Sequence, residues 1–175
     1  ASSLVGSEMC IRDRVGTAIT DGSSSLMLIS DAGKAVYFNE KDARPMGRDT
    51  RGVKGITLEE NQSVIALIMP NKDNEILTVS ENGYGKRSKV EDFRKTKRGA
   101  KGVIAMQLSE RNGKLISANQ VSDEDQVILI SDKGTLVRTK VSEISVIGRN
   151  TQGVRVIKLK ANEKLNGMAL ALEND

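Results

Sequence analysis

Three stretches of the chain carry one polarity pattern. "LMLISDAGKAVYF" (Leu26 to Phe38), "EILTVSENGYGKR" (Glu75 to Arg87) and "QVILISDKGTLVR" (Gln126 to Arg138) each run apolar, then serine, an acid, a variable residue and glycine. The glycines are Gly33, Gly83 and Gly134, spaced 50 and 51 residues apart. A short apolar run broken by such a turn predicts a β-hairpin whose glycine takes positive φ. Beyond the second and third hairpins, "KVEDF" and "KVSEI" space apolar residues three apart (Val90 and Phe93, Val141 and Ile144), which predicts one helical turn or an irregular edge. Apolar strands follow as "GITL", "VIAMQL" and "VIKL", then "SVIALIM", "KLISANQV" and "GMALAL", and "VGTAIT" precedes the first hairpin as one more.

No stretch of ten or more residues has helical periodicity, so the expected class is all-β. Four-stranded units recurring near 50 residues predict a propeller-like array of blades. The repeats fall at about 15–63, 64–114 and 115–165, with a trailing strand at 166–172. Three blades are fewer than the ~4–8 that close a propeller, so residues 15–175 are expected to be part of a larger domain. Residues 1–14, "ASSLVGSEMCIRDR", share nothing with the repeats and lack the apolar core of a signal peptide. They read as translated adapter sequence or as a disordered terminus.

Composition narrows the chemistry. Histidine is absent, and Cys10 is the only cysteine in 175 residues. That removes an intrachain disulfide, a Cys/His metal site and every Ser-His or Cys-His nucleophile. The longest apolar run, Val64 to Met69, is far below the ~18 residues of a membrane span, so no membrane association is expected. Aromatics are limited to Tyr37, Phe38, Tyr84 and Phe93. Carboxylates at the hairpin turns (Asp31, Glu81, Asp132) are explained by local Asx-type hydrogen bonds, which leaves no metal site to expect.

Charge adds the functional signal. The net charge is +4, yet Tyr84 to Gly102 alone holds eight cations against Glu91 and Asp92. That segment contains "TKRGAKG" (Thr96 to Gly102), with relatives "DTRGVKG" (Asp49 to Gly55) and "NTQGVRV" (Asn150 to Val156). "GYGKRSK" (Gly83 to Lys89) lacks the spacing and the helix of a P-loop. One basic loop alone reads as a solvated turn ahead of a ligand site. Repetition changes the reading: Arg51, Lys54, Arg98 and Lys101 are expected at equivalent sites of successive blades, with Arg155 in the third. Lys97 belongs to the same loop, and Lys86, Arg87, Arg138 and Arg149 extend the set. Gly52, Gly55, Gly99, Gly102 and Gly153 are expected to let a phosphate backbone approach the main chain. Such a track binds duplex DNA through phosphate, with steep salt dependence and no sequence readout. Scarce aromatics argue against single-strand binding, which relies on stacking.

These hairpins, with "NGYGKR" and "VSEISVIGRNTQGV", closely resemble the C-terminal domain of bacterial DNA gyrase A. The likeness runs from about Val15 onward. It implies the last three blades of a six-bladed β-pinwheel, a propeller relative whose neighbouring blades exchange a strand. It implies a non-catalytic part of a type IIA topoisomerase that wraps duplex DNA and supports negative supercoiling. The partners implied are double-stranded DNA, the rest of gyrase A and gyrase B, in the bacterial cytoplasm at the nucleoid. ATP and Mg are implied only for other regions of the parent enzyme. The family's hallmark heptad, Q-[KR]-R-G-G-[KR]-G, has only degenerate copies here, with Thr96 and Asp49 for the Gln and Ala100 and Val53 for the second Gly. The matching domain of topoisomerase IV and a propeller-like protein-interaction module are the alternatives.

Overall fold

The computed structural model describes residues 14–171, so the reading of residues 1–13 and the last residue of the trailing strand lie outside it. The three hairpins form as expected: β1 (Ser25–Ser30) with β2 (Lys34–Asn39), β4 (Glu75–Ser80) with β5 (Tyr84–Lys89), and β8 (Gln126–Ser131) with β9 (Leu136–Lys140). Gly33, Gly83 and Gly134 turn the chain at φ of 69°, 79° and 80°. Each donates its N–H to the carbonyl of the serine three residues back, at 3.0, 3.0 and 3.2 Å. The serine hydroxyls tie the return strands, accepting from Lys34 N at 3.3 Å and Thr135 N at 3.0 Å.

The acid after each serine does something other than close its own turn. Asp31 accepts from Ser63 N at 2.9 Å, Glu81 from Lys114 N at 3.2 Å and Asp132 from Lys164 N at 3.0 Å. Each carboxylate therefore clips the turn that feeds the next long strand of its own sheet. The Asx-turn expectation is corrected: the partner lies about thirty residues away, where sequence-local reasoning does not reach.

Those long strands are β3 (Val64–Ile68) beside β1, β7 (Leu115–Val121) beside β4, and β11 (Leu165–Ala171) beside β8. On the other flank, β6 (Val103–Ile104) joins β2 and β10 (Val154–Arg155) joins β5. Both short strands come from the next repeat along the chain. The sheet orders are β3-β1-β2-β6, β10-β5-β4-β7 and β11-β8-β9, all antiparallel. This is the strand exchange that the resemblance implied.

Three expected strands do not form. "VGTAIT" is exposed and irregular, with Ile19 94% exposed. "GITL" has buried Ile56 but no strand pairing, and "VIKL" has buried Ile157 but no strand, the short strand standing before it at Val154–Arg155. The topology gives the reason. A long outer strand pairs with the hairpin that precedes it, and an exchanged strand pairs with the hairpin one repeat earlier. No hairpin precedes "VGTAIT" among the described residues, whereas "GITL" and "VIKL" lie just after the exchanged-strand position, which β6 and β10 fill at Val103–Ile104 and Val154–Arg155.

After each hairpin comes a single 3₁₀ turn, at Glu40–Asp42, Val90–Asp92 and Val141–Glu143. Val90 with Phe93, and Val141 with Ile144, bury their side chains at these turns. The cores lie between sheets. Met27, Ile29, Ile76, Phe93, Met106 and Leu115 fill the space between the first and second. Leu77, Val79, Val121, Leu129, Ile157 and Leu165 fill that between the second and third. Strand alternation sends Ile76 to one core and Leu77 to the other, and both are fully buried. Each such side chain contributes about 1.5–3 kcal/mol of burial.

Candidate nucleic-acid interface

The glycine-basic loops lie against each other in series. Gly99 N donates to Gly55 O at 2.7 Å, while Thr57 donates from its backbone to Ala100 O (2.9 Å) and from its hydroxyl to Gly99 O (2.7 Å). Arg98 straps the junction, donating Nε to Asp42 O at 3.0 Å and Nη1 to Lys54 O. The next junction repeats this. Arg149 donates Nε to Asp92 O at 2.9 Å and Nη1 to Ile104 O at 2.8 Å, and Gln107 N donates to Thr151 O at 2.9 Å.

These paired bonds fix which residues correspond, at an offset of 50 or 51. Arg48, Arg98 and Arg149 share one position; Arg51, Lys101 and Gln152 another; Gly52, Gly102 and Gly153 a third; Lys54, Ile104 and Arg155 a fourth. The expected equivalence of Arg51 with Arg98 and of Lys54 with Lys101 is therefore three residues out of register. Matching the glycine motif slid the loops, whereas hydrogen bonds counted from the hairpins do not.

The basic residues then sort by exposure. Arg51, Lys54, Lys97 and Lys101 are exposed, as are Arg44, Arg48, Arg94 and Lys95 around them. Lys95 Nζ stands 5.3 Å from the centroid of the Tyr37 ring. Arg138 is exposed on β9. Arg98 and Arg149 are half-buried, and their guanidiniums serve the blade junctions.

Lys86 and Arg87 are not at the surface. Lys86 is fully buried, and Nζ donates to Gly148 O at 2.8 Å, to Arg149 O and to Thr151 Oγ1 at 3.2 Å. Burial pulls its pKa from 10.5 down to about 8. Arg87 is 5% exposed, donates Nε to Ile144 O at 2.7 Å and pairs with Glu75 and Asp123. Both were expected as phosphate contacts because alternation sends every second return-strand residue outward. β5 is covered on both faces and along its edge, so both side chains fasten the third repeat to the second instead.

The glycines divide too. A Cβ on Gly102 falls 2.6 Å from Ala35 O, one on Gly153 2.9 Å from Gly85 O, and one on Gly55 2.3 Å from Leu28 Cδ1. Gly102 and Gly153 let the chain approach the preceding blade, and Gly55 lets it approach β1 of its own repeat. Gly52 has open space around it, and Gly99 meets only Lys54 O at 3.6 Å.

One cluster carries no signal in the sequence. Tyr84 holds Arg111 and Arg155 against its ring at 4.8 and 5.4 Å, and Arg155 Nη2 donates to the phenol oxygen at 2.9 Å. Arg111 sits on a turn 27 residues from Tyr84, and no local spacing announces the contact.

Comparison with known proteins bears on the family. The model of the DNA gyrase C-terminal domain, beta-propeller, matches residues 24–71, 74–122 and 125–171. DNA gyrase A of Pseudomonas aeruginosa is 50% identical over 154 residues, covering 88% of this chain and 17% of that protein. The Escherichia coli protein is 47% identical over 159 residues, covering 91% and 18%. This chain thus spans under a fifth of the length of these relatives. A solved DNA gyrase A C-terminal domain superposes with a TM-score of 0.79 at 29% identity, covering 87% of this chain and 52% of that one. The C-terminal domain of DNA topoisomerase IV superposes at 0.80 with 25% identity, covering 86% and 47%. With three successive matched segments that coincide with its three hairpin-plus-strand units, the chain belongs to the DNA gyrase A C-terminal domain family of β-propellers.

Proposed function

We propose that this chain is a non-catalytic, duplex-DNA-binding part of a DNA gyrase A. Its exposed loop cations hold the phosphate backbone without reading sequence. The observation that carries this is the contact of the three loops in series, with Arg51, Lys54, Lys97 and Lys101 exposed beside the first junction. Cations fixed on a rigid edge neutralise phosphates and release counterions. Bending a duplex over such an edge costs several kcal/mol, offset by added phosphate contacts. In the parent enzyme this supports negative supercoiling, with gyrase B and the rest of gyrase A as partners, in the bacterial cytoplasm at the nucleoid. Sequence identity of 47–50% to DNA gyrase A proteins favours gyrase over topoisomerase IV as the parent.

The test is a salt titration of binding to random-sequence duplex. Each lost phosphate contact flattens the slope of log K against log salt by about 0.9. Lys54→Gln, Lys97→Gln and Lys101→Gln together are expected to flatten it by between about two and three. An unchanged slope removes these residues from the interface. Salt-insensitive binding, or none, favours a protein-interaction module.

A further inference from the structure

The Tyr84 cluster opens onto a cleft of about 310 Å³ between the second and third repeats. Four cations line it, Arg111, Arg155, Lys158 and Lys160, all exposed, with Glu163 as the one carboxylate. Glu163 is only 6% exposed and already engaged, accepting from Ser131 Oγ and from Lys160 N at 2.8 Å. None of the four cations forms a salt bridge among the described residues. Two guanidiniums thus share one ring with no carboxylate between them.

The fold does not require this arrangement. At the positions of Tyr84, Arg111 and Arg155, the first sheet and the turn feeding it have Lys34, Asn61 and, on the exchanged strand β6, Ile104. The turn bearing Arg111 is also one residue longer than its counterparts. Gly113, at φ 71°, is the added residue, and Asn61 and Asn162 instead take positive φ in the shorter turns. Arg155 spends one N–H on the phenol and keeps its remaining fork for a ligand, and Arg111 lies beside it. Two planar forks side by side suit the oxygens of a tetrahedral phosphate better than a single carboxylate.

We propose that this cleft is a phosphate-binding site: Arg111 and Arg155 grip one phosphate group against the Tyr84 ring, and Lys158 and Lys160 neutralise an adjoining one. The neighbouring guanidiniums of Arg111 and then Arg155 also hold the Tyr84 phenol below its ordinary pKa. Two adjoining phosphates are found in the duplex backbone and in free oligophosphates. The backbone source rests on the DNA-binding reading above; the oligophosphate source does not.

Two titrations of the full chain separate these sources, one with sodium pyrophosphate followed by phosphorus NMR and one with random-sequence duplex across salt. Arg111→Gln with Arg155→Gln is expected to weaken pyrophosphate binding about tenfold or more, or to flatten the duplex slope by about two. Loss of the duplex slope assigns the site to the DNA backbone. Loss of pyrophosphate binding alone assigns it to a free oligophosphate, and stays measurable if the wild type binds no DNA. Both titrations unchanged overturns the proposal. Lys158→Gln with Lys160→Gln, on the exposed side of the cleft, is read by the same two titrations and decides the matter if the arginine pair compromises folding.

Discussion

Lys86 shows how one residue can look like a ligand contact and be a fastener. Its ammonium sits at the end of a buried stem and satisfies two carbonyls and a hydroxyl of the third loop. Lys86→Met keeps the length but strands Gly148 O and Arg149 O. The expected loss is about 1–3 kcal/mol in urea unfolding at pH 7, with no flattening of the duplex salt slope. The pH dependence has a definite sign. Burial lowers the folded pKa to about 8 from 10.5, so between those values the unfolded chain holds the extra proton. Stability from this group therefore rises as pH increases through that window. The margin of wild type over Lys86→Met should widen between pH 8 and 10.5; a margin that narrows contradicts the assignment.

Among the elements, the return strands β2, β5 and β9 begin from one sequence pattern and end in different surroundings. β2 and β5 are covered by β6 and β10, and their central residues are buried. β9 has no such cover among the described residues, and Leu136 is 61% exposed. Leu136 corresponds to Gly85, where a Cβ already falls 3.1 Å from Thr78 O and from Val156 Cγ1. The same side chain is thus free at one position and excluded at the other. Leu136→Ser should change stability by no more than about 0.5 kcal/mol, as surface substitutions do. Gly85→Leu should cost over about 1–3 kcal/mol through overpacking against β10. Denaturation midpoints that shift equally for both variants contradict this account.

At the scale of the whole molecule, strand exchange couples the repeats. β6 belongs in sequence to the second repeat and in hydrogen bonding to the first sheet; β10 repeats the relation one blade on. A blade cannot open without withdrawing a strand from its neighbour, so the first two sheets are expected to open together. Val103 is 9% exposed and packs in the first core. Val103→Asp buries an unpaired charge there. Hydrogen exchange should then show loss of protection in both β1–β2 and β4–β5. Loss confined to β1–β2 points to independent blades. The same coupling keeps the glycine-basic loops in a fixed series, which is what a curved phosphate contact needs.

Much of this was legible along the chain because it is locally encoded. Serine, acid, variable residue and glycine suffice for a hairpin, and apolar residues three apart suffice for the 3₁₀ turn under Val90 and Phe93. The period of 50 and 51 residues gave the blade count, and "NGYGKR" and "GRNTQGV" the family. What the chain alone left open were relations between residues far apart in sequence. The register of the loops, the inward burial of Lys86 and Arg87, the clips made by Asp31, Glu81 and Asp132, and the Tyr84 clamp all depend on which repeat lies against which. Alternation in a strand assigns two faces, but only packing decides whether both are buried. Tertiary structure therefore chose which of the repeated cations meet water, because strand exchange covers β2 and β5 and leaves the outer loops exposed.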